Sequence, residues 1–202
     1  MSPGDLLILL AFVGALAATA LFVPALRGRK SGLAGWVFAG HALLLVGALA
    51  LLWWLFLTHR FEYDYVAQYS SRALSPALTF AASWAGQEGS ILLWVTLAAL
   101  LGMALLRQPG VLARPAMFFV SLLQSLLMLL LLVRSPFRLS AVVPQDGQGL
   151  NPLLEDPWMV VHPPVLFLGY AALALPFALG LAALVRQEYK EWNRMVWPWA
   201  LF

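Results

Sequence analysis

The stretch LLILLAFVGALAATALFVPAL, residues 6–26, decides the fold, because it contains no charged residue at all. An α-helix needs roughly 20 apolar residues to cross about 30 Å of hydrocarbon, so this segment is long enough to span a bilayer. It is also too long for the core of a signal peptide, and no basic segment precedes it. We therefore expect a membrane-spanning helix that the mature protein retains.

Four further apolar segments of similar length follow. Together with the first they predict five complete spans: Leu6–Leu26, Trp36–Leu57, Gly89–Leu106, Pro115–Val133 and Pro163–Val185. A sixth apolar segment runs from Met195 to Phe202, which is too short to cross a bilayer. The predicted fold class is all-α, a polytopic integral membrane protein. We expect residues 1–202 to be the N-terminal transmembrane region of a longer protein.

The composition also indicates a lipid environment. Hydrophobic residues make up 62% of the chain and charged residues 10%, against about half and about a quarter in soluble domains. The net charge of +3 does not indicate nucleic acid binding, because the basic residues lie between apolar segments and not on one face. The chain has no cysteine, which excludes disulfides and thiolate metal sites. It also lacks phosphate-binding loops, zinc motifs and the GxSxG nucleophile motif.

The basic residues predict the orientation in the membrane. Short connections on one side carry more of them than the longer loops on the other, and such an excess marks the cytoplasmic side. The N-terminus is then outside, which in the inner membrane of a bacterium means the periplasm. The cytoplasmic set is Arg27, Arg29, Lys30, Arg107, Arg114, Arg186, Lys190 and Arg194, and the outer set is Arg60, Arg72, Arg134 and Arg138.

The outer loops, residues 58–88 and 134–162, are much longer than the cytoplasmic connections. Each has roughly 30 residues, and ordered loops of that length usually have a function. We therefore expect the functional site on the outer face.

The second outer loop ends in GLNPLLEDPWMVVHPPVLFLGY, residues 149–170, with His162 directly before Pro163 and Pro164. A residue before proline favours extended geometry, and proline is favoured in the first helical turn. His162 is therefore predicted at or just before the N-terminus of the fifth span. The positive end of the helix would keep its imidazole neutral and able to ligate a metal. The alternative is an interfacial capping residue, and the spacing alone does not decide between the two.

The first outer loop ends in WAGQEGSILLW, residues 84–94. Gly86 and Gly89 would allow another helix or a flat ligand to approach closely. Glu88 between them has two interpretations. It is either an acidic residue in the first turn of a helix or a carboxylate that orients a histidine ligand.

Polar residues inside the spans have a structural interpretation as well as a functional one. His41 lies within the second span, where an ionisable side chain is a functional candidate by default. It has no partner at helical spacing, so hydrogen bonding between helices is favoured, as it is for Gln124 and Ser125. An aromatic belt at the membrane boundary accounts for tryptophans such as Trp158.

Three segments taken together resemble one family. Residues 84–94 are similar to the W-G-x-E-G-S-L-L-L-W stretch of CcmF, the cytochrome c-type haem lyase subunits. Residues 149–170 resemble the G-L-N-P-L-L-Q-D-P … H-P-P-L-L-Y-x-G-Y stretch of that family. Residues 65–86, YVAQYSSRALSPALTFAASWAG, resemble its Y-V-A-x-x-S-x … P segment. The resemblance therefore covers both outer loops.

The resemblance implies a role in cytochrome c biogenesis. CcmF proteins accept haem b from the haem chaperone CcmE and join its vinyl groups to the CxxCH thiols of apocytochrome c, with CcmH/CcmI-type subunits. By its place in the motif, His162 would be one of two outer axial ligands of the haem iron. A non-catalytic haem transport or haem-binding subunit is the alternative. The implied haem-binding residues are His162, Glu88, Trp84, Trp158, Pro163 and Pro164.

Some features of the family are missing from these residues. The family's tryptophan-rich loop, its second outer histidine and the ligands of a structural membrane haem would lie beyond Phe202. Gln87 stands where some members have histidine, and Phe167 replaces the usual tyrosine. We therefore expect the chain to hold only part of the haem site.

Overall fold

A computed structural model describes residues 1–201, except for the side chains of residues 157 and 159. Five of the helices within these residues are long and apolar enough to cross a membrane. This confirms the all-α class and the predicted number of complete spans. The helices are α1 Pro3–Leu26, α2 Gly32–Leu57, α3 Asp64–Tyr69, α4 Pro76–Ala82, α5 Gln87–Arg107, α6 Ala113–Val133, α7 Pro157–Arg186 and α8 Tyr189–Ala200, with a 3-10 turn at Pro152–Leu154.

The first helix begins slightly earlier than predicted because its N-terminus is capped. The Ser2 hydroxyl accepts a hydrogen bond from the Asp5 amide (3.1 Å), and the Asp5 carboxylate accepts one from the Ser2 amide (2.9 Å). This reciprocal capping box satisfies two amides that a helix start leaves without partners. Pro3 occupies the first helical turn, where its missing amide costs nothing.

The predicted start of the fifth span at Pro163 is wrong, since α7 begins six residues earlier at Pro157. Asp156 caps the helix there, with its Oδ1 accepting a hydrogen bond from the Trp158 amide at 2.8 Å. Capping by Asp and proline at the first position both favour a helix start. They outweigh the preference of a residue before proline for extended geometry.

The predicted sixth segment also begins earlier than Met195. Helix α8 starts at Tyr189 and includes charged residues that the apolar pattern excluded. Glu191 and Arg194 lie three residues apart in it and are hydrogen-bonded, with 3.1 Å between Arg194 Nε and Glu191 Oε2, a spacing that stabilises helices. At 12 residues, α8 is too short to span a bilayer. Phe202 lies outside the described residues.

The spans form an antiparallel bundle in which α5 and α6 are central. Helix α6 packs against α1, α5 and α7, while α5 also contacts α2. The connections 27–31, 108–112 and 187–188 are short and lie at one end, which we call the turn end. The long connections 58–86 and 134–156 lie at the opposite end, which we call the loop end.

Polar side chains inside the bundle join neighbouring helices. His41 Nδ1 donates to the Ala11 carbonyl oxygen of α1 (2.7 Å), and Gln124 Nε2 donates to the Val95 carbonyl oxygen of α5 (2.9 Å). Both are buried. The predicted interhelical role of His41 and Gln124 is confirmed, and α1 supplies the partner of His41 that helical spacing could not reveal. Ser125 donates to the Ser121 carbonyl of its own helix (2.9 Å), and its hydroxyl also lies within hydrogen-bonding distance of the Thr19 hydroxyl of α1 (3.5 Å), so it too joins two helices.

Backbone hydrogen bonds join the two long loops. The Asp64 amide donates to the Arg138 carbonyl (2.9 Å), and the Ser140 amide donates to the Glu62 carbonyl (2.9 Å). Further along, the Gln148 amide donates to the Ala67 carbonyl (2.8 Å). The loops therefore form one ordered layer over the loop end.

Candidate functional site

His162 lies at the loop end in the second turn of α7, and its side chain is exposed. The expectation that it precedes the helix is wrong, because Asp156 starts α7 before it. The field of a helix terminus falls off within the first turn. The positive end of α7 is therefore not what prepares this imidazole for binding.

His162 lines a cavity of about 210 Å³ together with Trp84, Leu150, Pro163 and Phe167. Three separate parts of the chain build this cavity: the residues before α5, the second loop and α7. Apart from the imidazole, most of its lining is apolar. The structure thus brings three of the predicted site residues, His162, Trp84 and Pro163, to one place.

Trp84 forms one aromatic wall of the cavity. Its side chain is 7% exposed and meets Phe80 edge-on, with 4.9 Å between ring centroids. Phe80 in turn packs on Trp53 of α2 at 4.9 Å. The indole Nε1 of Trp84 is buried and has no hydrogen-bond partner among the described residues, although buried indole N–H groups usually have one.

A second aromatic cluster joins α5 and α7 and includes Phe167 of the cavity lining. Trp94 packs against Phe167 (6.4 Å between centroids) and Tyr170 (5.9 Å). None of these three residues was predicted as a site residue from the sequence. Their spacing could have indicated part of this cluster, since Phe167 and Tyr170 are three residues apart and therefore share one face of a helix.

The two prolines after His162 lie within the helix and not at its start. Neither can donate an amide hydrogen to the carbonyl four residues earlier, so the hydrogen bonding of α7 is interrupted next to His162. Pro163 lines the cavity, whereas Pro164 is half-buried and is not among its lining residues. The structure therefore assigns the two prolines different surroundings.

Glu88 and Trp158 lie apart from this cavity. Glu88 sits in the first turn of α5, as the helix-start interpretation expects. It lines a different cavity of about 260 Å³ with Asp64, Arg134 and Arg138. Trp158 is in the first turn of α7 and is 78% exposed. Among the described residues, the side chain of His162 makes no hydrogen bond to Glu88 or to Trp158.

The glycines around Glu88 accommodate the chain's own first loop. Tyr65 of α3 is buried; its hydroxyl donates to the Ser83 carbonyl (3.2 Å) and accepts from the Gly86 amide (3.0 Å). Burial raises the pKa of Tyr65 well above its usual value, so the group stays a neutral hydroxyl. The close approach expected at Gly86 and Gly89 is thus made by α3 and the end of α4.

Within residues 1–201, no group of three or more His, Cys, Asp or Glu side chains lies close enough to hold a metal ion. His162 therefore offers one imidazole beside an aromatic wall. The fold defines a multi-pass helical membrane protein in which one histidine, His162, lines a mostly apolar cavity at the loop end.

The model of the cytochrome C assembly protein family matches residues 84–202. The matched range begins at Trp84 and includes both His162 and the aromatic residues around it. The chain belongs to the cytochrome c assembly protein family and is of the CcmF type. This confirms the resemblance that the two loop motifs indicate.

Two relatives show the extent of the similarity. The chain is 39% identical over 171 residues to the probable cytochrome c-type biogenesis protein NrfE of Escherichia coli, covering 82% of the chain and 31% of that protein. It is 35% identical to the cytochrome c-type biogenesis protein CcmF of Pseudomonas aeruginosa, covering 98% of the chain and 32% of that protein.

A solved structure of the cytochrome c haem lyase CcmF matches the whole chain with a TM-score of 0.82 and 27% identity. The match covers 33% of that structure's chain. The chain thus spans about a third of the length of the relatives it matches.

Proposed function

We propose that this chain is part of a membrane-bound cytochrome c-type haem lyase, in which His162 ligates the iron of a haem b substrate at the loop end. The observation that carries the proposal is the cavity that His162 shares with Trp84 and Phe167. The family match over residues 84–202 supports it, because this range contains all three residues.

The residues of the cavity suit a haem group. A histidine imidazole is a common axial ligand of haem iron, and a flat apolar ring system suits apolar and aromatic walls. The buried Trp84 N–H is a donor that no described residue uses. The cavity of about 210 Å³ is smaller than the roughly 300–1,000 Å³ of ordinary ligand pockets. These residues therefore form one wall of a site and do not enclose a haem.

In the proposed reaction, haem supplies the vinyl groups to which the cysteine thiols of apocytochrome c add. His162 binds the iron and fixes where the ring lies, while Trp84 and Phe167 limit its tilt and exclude water. Such positioning can lower a barrier by several kcal/mol without any nucleophile on the protein. Pro163 forms part of the cavity wall beside His162, Pro164 follows it on α7, and the exposed Trp158 is available to contact haem or a partner. In this scheme Glu88 stabilises the start of α5 and does not orient His162.

We further propose that the loop end faces the periplasm and that the protein lies in a bacterial inner membrane. The excess of basic residues at the turn end supports this orientation. The loop end would then meet the haem chaperone CcmE, CcmH/CcmI-type subunits and apocytochrome c. In the alternative role, haem transport without catalysis, His162 ligates the iron in the same way, but the haem is passed on without being attached to cysteine thiols.

The experiment replaces His162 in the full-length protein and measures both haem binding and covalent attachment of haem to cytochrome c. His162→Asn is expected to lower the haem absorbance per protein several-fold and to reduce the yield of covalently attached cytochrome c. Added imidazole should restore part of the haem binding, because it can occupy the vacated ligand position. The lyase role predicts that attachment by His162→Asn stays low even when haem is supplied directly to apocytochrome c, whereas the transport role predicts that directly supplied haem restores attachment.

The matched control is His59→Asn, which makes the same change at another histidine of the loop end. His59 has a φ of 51°, a conformation that asparagine tolerates, and it is not among the residues lining the cavity. His59→Asn should retain haem and cytochrome yield. Unchanged haem occupancy and yield in His162→Asn would contradict the proposal.

A further inference from the structure

The turn end contains a cavity of about 300 Å³ that is lined by Arg29, Arg114 and Arg186. The three arginines come from three different parts of the chain. Arg29 follows α1, Arg114 is the second residue of α6, and Arg186 is the last residue of α7. None of the described residues that line this cavity carries a carboxylate. We call it the arginine cavity.

The three guanidinium groups are not neutralised by the rest of the described chain. Within residues 1–201, no carboxylate oxygen lies within 4.0 Å of any of them. The Nε of Arg186 is buried without a hydrogen-bond partner there. Glu191, which approaches the rim near Gly110, is hydrogen-bonded to Arg194. Like charges that converge without a counter-ion repel one another, so the cavity favours an anion.

Backbone groups around the arginine cavity contact two of its arginine side chains. Gly28 has a φ of +71°, a left-handed conformation that favours glycine. A Cβ at this position would lie 2.8 Å from Arg186 Nη1, so the guanidinium packs directly on bare backbone. On the opposite side, Arg114 Nη1 donates to the Ser31 carbonyl (2.9 Å). Arg114 is thus held by a hydrogen bond, and Arg186 lies against the Gly28 backbone, before any ligand arrives.

The location of the arginine cavity identifies the class of anion. All three arginines lie at the ends of membrane-spanning helices, which is the depth of lipid headgroups. Val111 also lines the cavity and is 57% exposed, so it offers an apolar contact beside the charges. Guanidinium groups bind phosphate oxygens through paired hydrogen bonds, and basic pockets between membrane helices bind anionic headgroups.

We propose that the arginine cavity binds the phosphate group of an anionic phospholipid. Arg29, Arg114 and Arg186 supply the hydrogen bonds and the charge. This site lies at the opposite end of the bundle from His162, so it is independent of the haem proposal and of its test. A free phosphate ion offers the same chemistry, and the experiment therefore compares the two sources.

The experiment uses the full-length protein in detergent with three additions: phosphatidylglycerol, phosphatidylcholine and inorganic phosphate. Native mass spectrometry measures the bound lipid, and thermal unfolding measures the stabilisation. Phosphatidylglycerol is expected to bind and to raise the melting temperature more than phosphatidylcholine does. Equal effects of the two lipids would overturn the proposal. Saturation by inorganic phosphate at the same concentration as the lipid would overturn the assignment to a phospholipid.

Two variants distinguish the contribution of the arginine cavity to lipid binding from that of the positive surface charge at the turn end. The triple variant Arg29→Gln, Arg114→Gln, Arg186→Gln is compared with Arg27→Gln, Lys30→Gln, Arg107→Gln, which removes three charges at the same end outside the lining. Each lost arginine contact should weaken phosphatidylglycerol binding by about fivefold in the first variant. Equal weakening in both variants, or none in the first, would refute the site.

A single substitution keeps the test valid if the triple variant does not fold. The Arg29 side chain makes no hydrogen bond to another described residue and is exposed, so Arg29→Gln should leave the fold intact. It is expected to weaken phosphatidylglycerol binding about fivefold while Arg27→Gln does not. Identical affinities of these two single variants would count against the proposal.

Discussion

Gly89 stands where the first turn of α5 meets the carbonyl of Ser83. A Cβ at residue 89 would overlap the Ser83 carbonyl group and would lie 2.5 Å from the Tyr65 hydroxyl. The first of these atoms belongs to the backbone, which cannot move aside as the end of a flexible side chain can. At the scale of a single residue, the glycine is therefore required by packing and not by an unusual backbone conformation.

Gly89→Ala is expected to destabilise the protein by at least the 1–3 kcal/mol that overpacking usually costs. Thermal unfolding in detergent measures the effect. The control is Gly47→Ala in α2, because no atom lies within 4 Å of a Cβ placed there. That substitution should leave stability unchanged or raise it by about 0.5–1 kcal/mol, since glycine weakens a helix interior. Equal melting temperatures for the two variants would show that Ser83 does not constrain residue 89.

At the scale of elements, the start of α7 decides where His162 points. Asp156 caps this helix through its hydrogen bond from the Trp158 amide. The prolines after His162 remove two amides from the helical ladder, so the turn that carries His162 depends on the cap more than an ordinary helix would.

We expect Asp156→Ala to cost about 1 kcal/mol and to fray the first two turns of α7. Hydrogen–deuterium exchange at the amides of Trp158 and His162 should become faster, while exchange in the rest of α7 stays unchanged. Asp156→Asn is the control, because asparagine is an equally good cap. Unaltered exchange in the alanine variant would mean that other contacts fix this helix start.

A carboxylate adds to the backbone hydrogen bonds that join the two loops. Asp146 Oδ1 accepts hydrogen bonds from the amides of Arg72 (2.9 Å) and Gly147 (2.8 Å). The bond from the Arg72 amide lowers the pKa of Asp146 below its ordinary value of 3.8. A carboxylate with a lowered pKa stabilises the folded state above the unfolded value, and this contribution is lost as the pH falls through the folded pKa.

The hydrogen bond from the Arg72 amide to Asp146 should therefore contribute fully above about pH 4 and weaken as the pH falls below 3.8. Amide protection at Arg72, corrected for the intrinsic exchange rate at each pH, measures this change. In Asp146→Asn the side-chain oxygen still accepts hydrogen bonds but does not titrate over this range, so the fall in protection should be smaller. The same pH profile in wild type and variant would assign the effect to other groups.

At the scale of the whole molecule, the bundle places the two proposed binding sites at opposite ends. The imidazole of His162 lies at the loop end, and the arginine cavity lies at the turn end. Because the five long helices cross the membrane, the two ends of the bundle face different compartments. The proposed haem site therefore requires the orientation in which the loop end faces the periplasm.

This orientation predicts the outcome of cysteine labelling, which is direct because the chain has no cysteine of its own. Val142→Cys in the second loop, where the side chain is 80% exposed, should react with a membrane-impermeant maleimide in intact bacterial spheroplasts. Lys30→Cys at the turn end should react only after the membrane is permeabilised. The reverse pattern would place the loop end in the cytoplasm and remove the basis for the haem proposal.

Much of the fold could be predicted because local patterns decide it. Hydrophobic length predicted five spans and where they lie, and the structure confirms them. The starts of α7 and α8 were predicted wrongly, because the length of an apolar segment does not show where a helix begins. Helix α7 begins at its capping residue Asp156, and α8 includes the charged residues Glu191 and Arg194.

The candidate site was only partly predictable. The motif resemblance selected His162, Trp84 and Pro163, which the structure brings together. It also selected Glu88, which faces another cavity, and it missed Trp94, whose contact with Phe167 joins two different helices. A single sequence does not show which residues on different helices face one another.

The sequence by itself determined the number of spans, because the transfer of each apolar segment into lipid depends on that segment alone. The lengths of the connections and the excess of basic residues at one end follow from where the spans lie, so they too need no knowledge of which helices are neighbours. The tertiary structure decided which side chains share a cavity: His162 with Trp84, and Arg29 with Arg186. These pairs are distant in the chain, and only the packing of whole helices sets the distances between them.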